Sequence, residues 1–277
     1  MDVRYSTDPE RFKTMPAESL RAMFLIDNLF TFDEVPMTYS DIDRSITGSA
    51  VPKTKTLALL ASKKEMAAEY FAERREIGII NIGGTGSIGV DGNVFVLGPK
   101  DALYIGRGAR TVEFKSAKES DPAKFYFVSY PAHKEFPAVL VHFADADRSS
   151  LGSGQDSNKR TINRLIHAGG IKSCQLVMGL TELEQGSVWN TMPSHTHQRR
   201  SEVYMYFNIQ QDAVVVHFMG QPEETRHMII RNGQAVLNPS LSIHSGVGTR
   251  SYSFIWAMGG ENQAFNDMDD VPMSLLR

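Results

Sequence analysis

The chain has 277 residues and a mass of 30.8 kDa, which predicts one large domain or two ordinary ones. Its 42% hydrophobic and 22% charged residues exclude a disordered chain, and a net charge of −3 gives no basic excess for binding nucleic acid. The single cysteine, Cys174, excludes an internal disulfide, and no signal-peptide core or membrane-spanning apolar run is present. A soluble, cytoplasmic protein with neither nucleic-acid nor membrane partners is therefore expected.

Two short helices and a series of strands are predicted in the first half of the chain. Thr14, followed by Pro16 and Glu18, is typical of a helix start and predicts a helix over 14–23. Apolar residues at helical spacing predict a second helix over 63–73. After these come short β-rich segments that end at glycine or proline. Asp91-Gly92, between two such segments, predicts a tight hairpin turn.

The composition changes between residues 143 and 158, where Asp, Ser and Gly dominate. This segment predicts a loop, and we expect residues 146–158 to link an N-terminal domain, 1–145, to a C-terminal domain, 159–277. Short strands are predicted on both sides, so the fold class is mostly β, with two sandwich or small-barrel domains and a few short helices. Arg74-Arg75-Glu76-Ile77 and the later Arg199-Arg200-Ser201-Glu202 also indicate a weak internal repeat.

A histidine cluster carries the strongest chemical signal. Five of the eight histidines lie between residues 195 and 244. His195 and His197 are two residues apart, so an extended strand would direct both imidazoles to one side, and Glu202 opens the next strand. Two imidazoles and a carboxylate are suited to a metal, and His244 is the candidate fourth ligand. Structural roles remain the alternative for isolated histidines.

The spacing of these residues resembles the two motifs of the cupin superfamily. The first motif is HxH followed after three or four residues by Glu, and the second has Gly, then Pro, then His, matched here by Gly233, Pro239 and His244. Trp189, Ile209 and Leu241 stand where the motifs usually have glycine, which affects turns rather than ligands. The N-terminal half lacks matching histidines, so the resemblance implies a bicupin whose residues 1–145 are metal-free and whose residues 159–277 bind the metal.

A more specific resemblance extends over nearly the whole chain. The segments that carry it are similar to those of the 5-keto-4-deoxyuronate isomerases: Tyr39–Arg44, Glu73–Glu76, Arg160–Asn163, Asn190–Tyr204, Met219–His227, Ile243–Thr249 and Phe254–Gln263. The resemblance implies an aldose–ketose isomerase with one Zn²⁺ or other divalent ion per subunit. It would convert 4-deoxy-L-threo-5-hexosulose uronate to 3-deoxy-D-glycero-2,5-hexodiulosonate in pectin breakdown, as a homohexamer. No nucleotide cofactor is expected, because Gly83-Gly84-Thr85-Gly86 lacks the strand-to-helix context of a dinucleotide site.

The implied reaction passes through an enediolate stabilised by the metal at His195, His197, Glu202 and His244. The general base is not assigned, with Glu223 as a candidate. Arg199 and Arg226 are candidates for binding the substrate carboxylate, and Tyr204 and Tyr206 for its hydroxyls, with surface or core roles as the alternative for each. Two other functions stay open at this point, a cupin iron oxygenase and a non-catalytic uronate-binding protein.

Overall fold

The computed structural model describes residues 1–264 and 267–277. It divides into two compact units. The N-terminal unit comprises residues 1–4, 28–146 and 165–177, and the C-terminal unit comprises residues 5–27, 147–164 and 178–277. None of the helices in the described part of the chain has the length and apolar character needed to cross a membrane.

The described residues are mostly β-strand with a few short helices, as predicted. The helices are α1 Pro9–Thr14, α2 Ala17–Phe24 and α3 Lys63–Met66, with 3₁₀ turns at Ile42–Arg44, Phe71–Glu73, Phe143–Asp145 and Met273–Leu275. The strands of the first half are β1 Asp2–Arg4, β2 Leu25–Ile26, β3 Met37–Ser40, β4 Ile46–Ala50, β5 Leu57–Ala58, β6 Arg75–Asn81, β7 Gly86–Val90, β8 Asn93–Leu97, β9 Ala102–Ile105, β10 Val112–Ser116, β11 Phe125–Pro131 and β12 Val139–Val141. Those of the second half are β13 Asp147–Leu151, β14 Arg160–Ile166, β15 Val177–Leu183, β16 Trp189–Asn190, β17 His195–Thr196, β18 Arg200–Phe207, β19 Val215–Gln221, β20 Glu224–Ile230, β21 Ala235–Asn238, β22 Ile243–Gly248, β23 Ser253–Gly260 and β24 Asp269–Asp270.

The N-terminal unit contains a seven-stranded sheet, in the order β1-β3-β4-β11-β6-β9-β12, and a four-stranded sheet, β5-β10-β7-β8. Its buried core is apolar. Every residue of the central strand β6 is buried, and Ile77 and Ile79 join a core cluster that includes Phe114 and Phe127. Since alternate residues of a strand face opposite sides, these isoleucines share one face of β6 and fill the interior with hydrocarbon.

The C-terminal unit repeats this arrangement with its own strands. Its seven-stranded sheet has the order β13-β14-β15-β23-β18-β21-β2, and its four-stranded sheet has the order β16-β22-β19-β20. A separate two-stranded ribbon joins β17 to β24. The central strand β18 is buried along its whole length, like β6 in the other unit. The predicted two-sandwich fold and the weak internal repeat are both confirmed by this matching order.

Local chemistry accounts for the turns and helix ends. The predicted hairpin turn joins β7 to β8, where Asp91 has φ of 48° and Gly92 has φ of 86°, the left-handed values that such turns require. Asp8 accepts a hydrogen bond from the backbone N–H of Arg11 and so begins α1 ahead of the predicted helix start. Helix α3 ends at Ala67, whose φ of 49° stops helix propagation, so the helix predicted over 63–73 is shorter than expected.

The boundaries of the compact units differ in two respects from the expected division at 1–145, 146–158 and 159–277. Residues 5–27 belong to the C-terminal unit, where β2 pairs with β21. Residues 147–151 form strand β13, which pairs with β14, so the first part of the expected linker is a strand of the sheet. The assignment of the metal to one half alone stays a prediction.

Candidate metal centre

Three segments of the C-terminal unit bring the four predicted ligands together. His195 lies on β17, whose pairing with Asp270 on β24 fixes that short strand. Glu202 lies on β18, paired with β21 on one side and β23 on the other. His244 lies on β22 in the other sheet of the sandwich. The side chains of His197, Glu202 and His244 are buried, and His195 is partly exposed.

The ligand atoms of these four residues lie within 4.8 Å of one another. The Nε2 atom of His244 is 2.9 Å from Oε2 of Glu202 and 3.0 Å from Nε2 of His195, and Nε2 of His197 is 3.6 Å from the same carboxylate oxygen. Ligands bound tetrahedrally to zinc at 2.0–2.1 Å lie roughly 3.4 Å from one another. The observed separations bracket this value, so the cluster fits one ion.

The hydrogen bonds on the far sides of two imidazoles support the same conclusion. Nδ1 of His197 donates to the backbone carbonyl of Asp267 at 2.5 Å, and Nδ1 of His244 faces the carbonyl of Ser242 at 3.3 Å. A carbonyl only accepts, so Nδ1 carries the proton and Nε2 presents a lone pair toward Glu202. Lone pairs and a carboxylate that face one another repel unless a cation lies between them. Such outer hydrogen bonds also orient metal-binding histidines.

Burial keeps His195 in the protonation state that binds metal. Burial, together with neighbouring His244, lowers the pKa of His195 to about 2, so its imidazole is neutral near pH 7. A neutral imidazole and an ionised carboxylate are the forms that coordinate a metal.

A cavity of about 150 Å³ opens beside the cluster. His195, His197 and Glu202 form part of its wall, and the other lining residues are Leu151, Arg160, Ile162, Thr181, Thr191, Pro193, Tyr204, Phe254, Trp256, Met258 and Met268. The wall is mainly apolar with a few polar groups, which is typical of a site for a small molecule.

The other predicted site residues fall into two groups. Tyr204 lines the cavity, and its hydroxyl is 3.0 Å from Oγ1 of Thr191. Tyr206 is buried nearby without lining the cavity, and its hydroxyl lies 2.6 Å from Nδ1 of His217. His217 in turn contacts Oδ1 of Asn238 at 2.8 Å. Burial lowers the pKa of His217 to about 3, so the imidazole is neutral and has a structural role in the core.

The predicted arginines and Glu223 are not among the residues that line the cavity. The side chain of Arg199 is 70% exposed, and its Nε is 4.0 Å from Glu261. Arg226 donates to the backbone carbonyls of Phe12, Lys13 and Met15 at the end of α1. Glu223 is exposed in the turn between β19 and β20.

Arg160 is a cavity residue that reasoning from the sequence did not assign. It lies at the start of β14, and its Nη1 donates to the carbonyl of Asn158 at 2.8 Å. Burial lowers its pKa, and no carboxylate of the described residues lies within 4 Å of its guanidinium. The segment Arg160–Asn163 is part of the full-length resemblance, and this was the one sequence feature that could have pointed to Arg160. The residue spacing did not indicate that Arg160 lines the same cavity as the histidines.

Two β-sandwich units and a three-histidine, one-glutamate cluster define a bicupin with a candidate metal centre. Residues 31–273 match the model of the KduI/IolB family. The chain belongs to this family, which confirms the resemblance inferred from its motifs.

Curated relatives match the full length of the chain. Proteins of Caldicellulosiruptor bescii and Lachnoclostridium phytofermentans are each 53% identical over 277 residues, and that of Enterobacter sp. (strain 638) is 52% identical over 278 residues. In each case 100% of both chains is covered, and each relative is named 4-deoxy-L-threo-5-hexosulose-uronate ketol-isomerase.

Solved structures with low sequence identity share the fold. An IolB-like protein from Salmonella typhimurium aligns with a TM-score of 0.67 and 14% identity over 82% of this chain and 87% of that one. A Bacillus subtilis oxalate decarboxylase mutant aligns with a TM-score of 0.57 and 13% identity over 83% and 71% of the two chains. At these identities the likeness supports the cupin architecture alone.

Proposed function

We propose that this chain is a ketol-isomerase that converts 4-deoxy-L-threo-5-hexosulose uronate to 3-deoxy-D-glycero-2,5-hexodiulosonate. The observation that carries the proposal is the buried quartet of His195, His197, Glu202 and His244 beside a small cavity. The full-length relatives named as this ketol-isomerase support the substrate. The reaction moves a proton from C2 to C1 through an enediolate, so the C1 aldehyde becomes a hydroxymethyl group and the C2 alcohol becomes a ketone.

One Zn²⁺ per chain is the proposed cofactor, with another divalent ion as the alternative. Three imidazoles and a carboxylate suit zinc, and three of the separations between their ligand atoms lie near the value for tetrahedral coordination. A cation held there supplies Lewis-acid stabilisation for substrate oxygens on which negative charge develops, an effect worth several kcal/mol. No nucleotide is required, because the hydrogen leaves and returns as a proton.

Arg160 is the proposed partner of the substrate carboxylate. It is the arginine among the described residues that line the cavity, and it has no carboxylate neighbour within 4 Å. A guanidinium binds a carboxylate through two parallel N–H donors, which fixes the orientation of the ligand as well as its charge. With C6 held at Arg160, the opposite end of the substrate reaches toward the histidines.

Tyr204 and Thr191 are the proposed partners of the substrate oxygens near the metal. Burial and the nearby Glu202 raise the pKa of the Tyr204 phenol well above its ordinary value, so the phenol stays protonated and donates a hydrogen bond. Trp256, whose indole N–H donates to Oγ1 of Thr181 at 3.2 Å, supplies a rigid apolar wall. These groups orient the substrate and reduce the water around C1 and C2.

The proposal is tested with purified protein and the 5-keto-4-deoxyuronate in D₂O, followed by NMR. An isomerase forms the 2,5-diketo product and consumes no oxygen, with deuterium entering C1 to the extent that the transferred proton exchanges with solvent. Oxygen uptake with iron bound would instead support the alternative of a cupin oxygenase. Saturable binding without turnover in zinc-loaded protein would support a uronate-binding protein and contradict the proposal.

The family resemblance also supports a biological setting. We propose that the chain works in the cytoplasm as a homohexamer, on a product of pectin or other uronate polymers. Size-exclusion chromatography with light scattering tests the assembly, since a hexamer of 30.8 kDa chains is clearly separated from a dimer or trimer.

A further inference from the structure

The N-terminal unit contains a second cavity of about 420 Å³ at the beginning of strand β6. Four cationic residues line it, namely Arg44, Lys64, Arg74 and Arg75. The one carboxylate in its wall, Glu65, is already bound by the N-terminal ammonium at 2.8 Å. Arg74 is paired with Glu73 at 3.3 Å, so the excess of positive charge comes from Arg44, Lys64 and Arg75.

Arg75 is the buried member of this cationic group, with 8% of its surface exposed. Its Nε donates to Oγ of Ser129 at 3.1 Å, and its Nη2 donates to the carbonyls of Arg44 and Ser129 at 2.5 and 2.8 Å. Nη1 has no hydrogen-bond partner among the described residues. Burial lowers the pKa of Arg75 to about 10, and the neighbouring Arg44 contributes to the decrease. The side chain is thus anchored by two nitrogens, with the third left for a ligand.

The corresponding position in the C-terminal unit has a different environment. Arg200 begins β18 as Arg75 begins β6, and both strands are central in sheets of matching order. The Nε of Arg200 is 3.3 Å from a carboxylate oxygen of Asp267, which supplies the counter-charge. Around Arg75, no described carboxylate lies within 4 Å. A buried cation without a counter-charge is unfavourable even when it is hydrogen-bonded, so the counter-charge is expected to come from outside the chain.

The loop that carries Arg44 has an unusual backbone. Asp43 and Arg44 have φ values of 48° and 53°, so two successive residues with side chains adopt the left-handed conformation. This conformation disfavours residues other than glycine, and strained backbone of this kind is found most often at binding sites. The carbonyl of Arg44 accepts a hydrogen bond from the guanidinium of Arg75, so the loop and this buried side chain are joined at the cavity wall.

We propose that this cavity binds a small organic anion through a phosphate or carboxylate group. The oxyanion contacts Arg75 and Arg44, with Lys64 adding positive charge at the opening. The carbon part of the ligand packs on the apolar portion of the wall, which includes Phe71. A volume of about 420 Å³ lies within the range of small-molecule sites. The proposal is independent of the isomerase function.

Isothermal titration calorimetry of the full-length, zinc-loaded protein tests the site. The probes are glucose 6-phosphate and glucuronate, which place a phosphate or a carboxylate on one sugar, and glucose, which is uncharged. We expect one of the two anions to bind at least tenfold more tightly than glucose. The anion that binds more tightly shows whether the site prefers a phosphate or a carboxylate group. Inorganic phosphate tests whether the sugar contributes to binding.

Variants assign the binding to this cavity. Arg44→Gln is expected to weaken binding at least tenfold, and Arg75→Gln is expected to abolish it. Because Arg75 also anchors the loop, Lys64→Gln provides a second test at an exposed side chain, with a several-fold loss expected. Lys118→Gln, an exposed charge change in the same unit, is the control and should bind normally.

Arg160→Gln separates this site from the candidate active site, because glucuronate could also bind there. Binding that survives Arg160→Gln and is lost in Arg44→Gln supports the proposal. Equal affinity for anions and glucose, or anion binding unaffected by Arg44→Gln and Lys64→Gln, would overturn it. The proposal would also be overturned if the cavity variants formed a smaller oligomer than the unmodified protein. That result would indicate that another copy of the chain covers this surface.

Discussion

Nε2 of His244 lies 2.9 Å from Oε2 of Glu202, although the two residues belong to different sheets of the C-terminal sandwich. The proton on Nδ1 of His244 leaves Nε2 with a lone pair, so the contact joins two electron-rich atoms. An ion held by both residues would convert this repulsion into coordination and would crosslink the two sheets. Metal binding should therefore stabilise the unit as well as support catalysis.

The first prediction concerns this pair. His244→Ala and Glu202→Gln should reduce zinc from about one ion per chain to a small fraction of that, because each removes a buried ligand. The kcat of the isomerase should fall about 1000-fold, corresponding to several kcal/mol of lost charge stabilisation. Elemental analysis and an enzyme-coupled assay measure the two effects. His227→Ala, at an exposed histidine on β20, is the matched control and should retain both. Full turnover by zinc-free His244→Ala would contradict the metal mechanism.

The grouping of the four candidate ligands could be predicted because each of the two segments that carry them has a recognisable local spacing. The pattern HxH and a nearby Glu occupy a single stretch of chain, and the spacing from Gly233 through Pro239 to His244 identifies the remaining strand. The hairpin at Asp91-Gly92 was predictable for a similar reason, since its turn depends on two adjacent residues.

The remaining features depend on contacts between distant segments. Arg160 lines the same cavity as His195 and His197 because β14 lies in the sheet of the sandwich that carries Glu202, and no local sequence pattern indicates this. Residues 5–27 belong to the C-terminal unit through pairs such as Leu25 with Val236. Composition placed the domain boundary near residue 146, but it contained no information on such long-range pairing.

The second prediction tests Arg160 as the carboxylate partner. Arg160→Gln should raise KM for the uronate about 10- to 100-fold, because it removes a charge-assisted pair worth roughly 1.5–3 kcal/mol. Arg160→Lys should recover only part of this loss, since lysine cannot donate two parallel hydrogen bonds from a planar group. Steady-state kinetics give both values. Arg199→Gln is the control at an exposed arginine, and a larger effect there than at Arg160 would favour Arg199 as the substrate ligand.

The third prediction concerns Arg226, a candidate from its sequence position for binding the substrate carboxylate. Its guanidinium donates to three backbone carbonyls at the end of α1, so Arg226→Gln should destabilise the protein by about 1–3 kcal/mol. The thermal midpoint should fall by several degrees with kcat and KM unchanged at 25 °C. Differential scanning calorimetry with kinetics measures this, and Arg231→Gln, an exposed change at the end of β20, is the control. A large rise in KM without loss of stability would instead support a substrate role.

The fourth prediction separates the two tyrosines on β18. Tyr204→Phe should lower kcat about tenfold with zinc content unchanged, because its hydroxyl faces the cavity beside Thr191. Tyr206→Phe should mainly lower stability, since its hydroxyl contacts buried His217. Kinetics and urea unfolding are measured on both variants, and we expect the loss of turnover in one variant and the loss of stability in the other. The assignment fails if Tyr206→Phe is the variant that loses turnover while remaining stable.

The fifth prediction concerns Glu76, a buried carboxylate in the N-terminal unit. Its Oε1 accepts from the backbone N–H groups of Gln175 and Leu176 at 2.8 and 2.9 Å, and its Oε2 accepts from the N–H of Cys174 and the hydroxyl of Tyr104, both at 2.7 Å. Burial, together with Glu76, raises the pKa of Tyr104, so this tyrosine stays protonated as the donor.

Glu76→Gln places an amide NH₂ against two of these four donors, because only one oxygen of glutamine can accept. The free energy of unfolding should fall by about 2–3 kcal/mol, and kcat of the folded fraction should be retained, since these contacts lie within the N-terminal unit. Urea denaturation monitored by circular dichroism measures the loss, with exposed Glu113→Gln on β10 as the matched control. Equal stability of the two variants would show that the Glu76 carboxylate contributes no net stability.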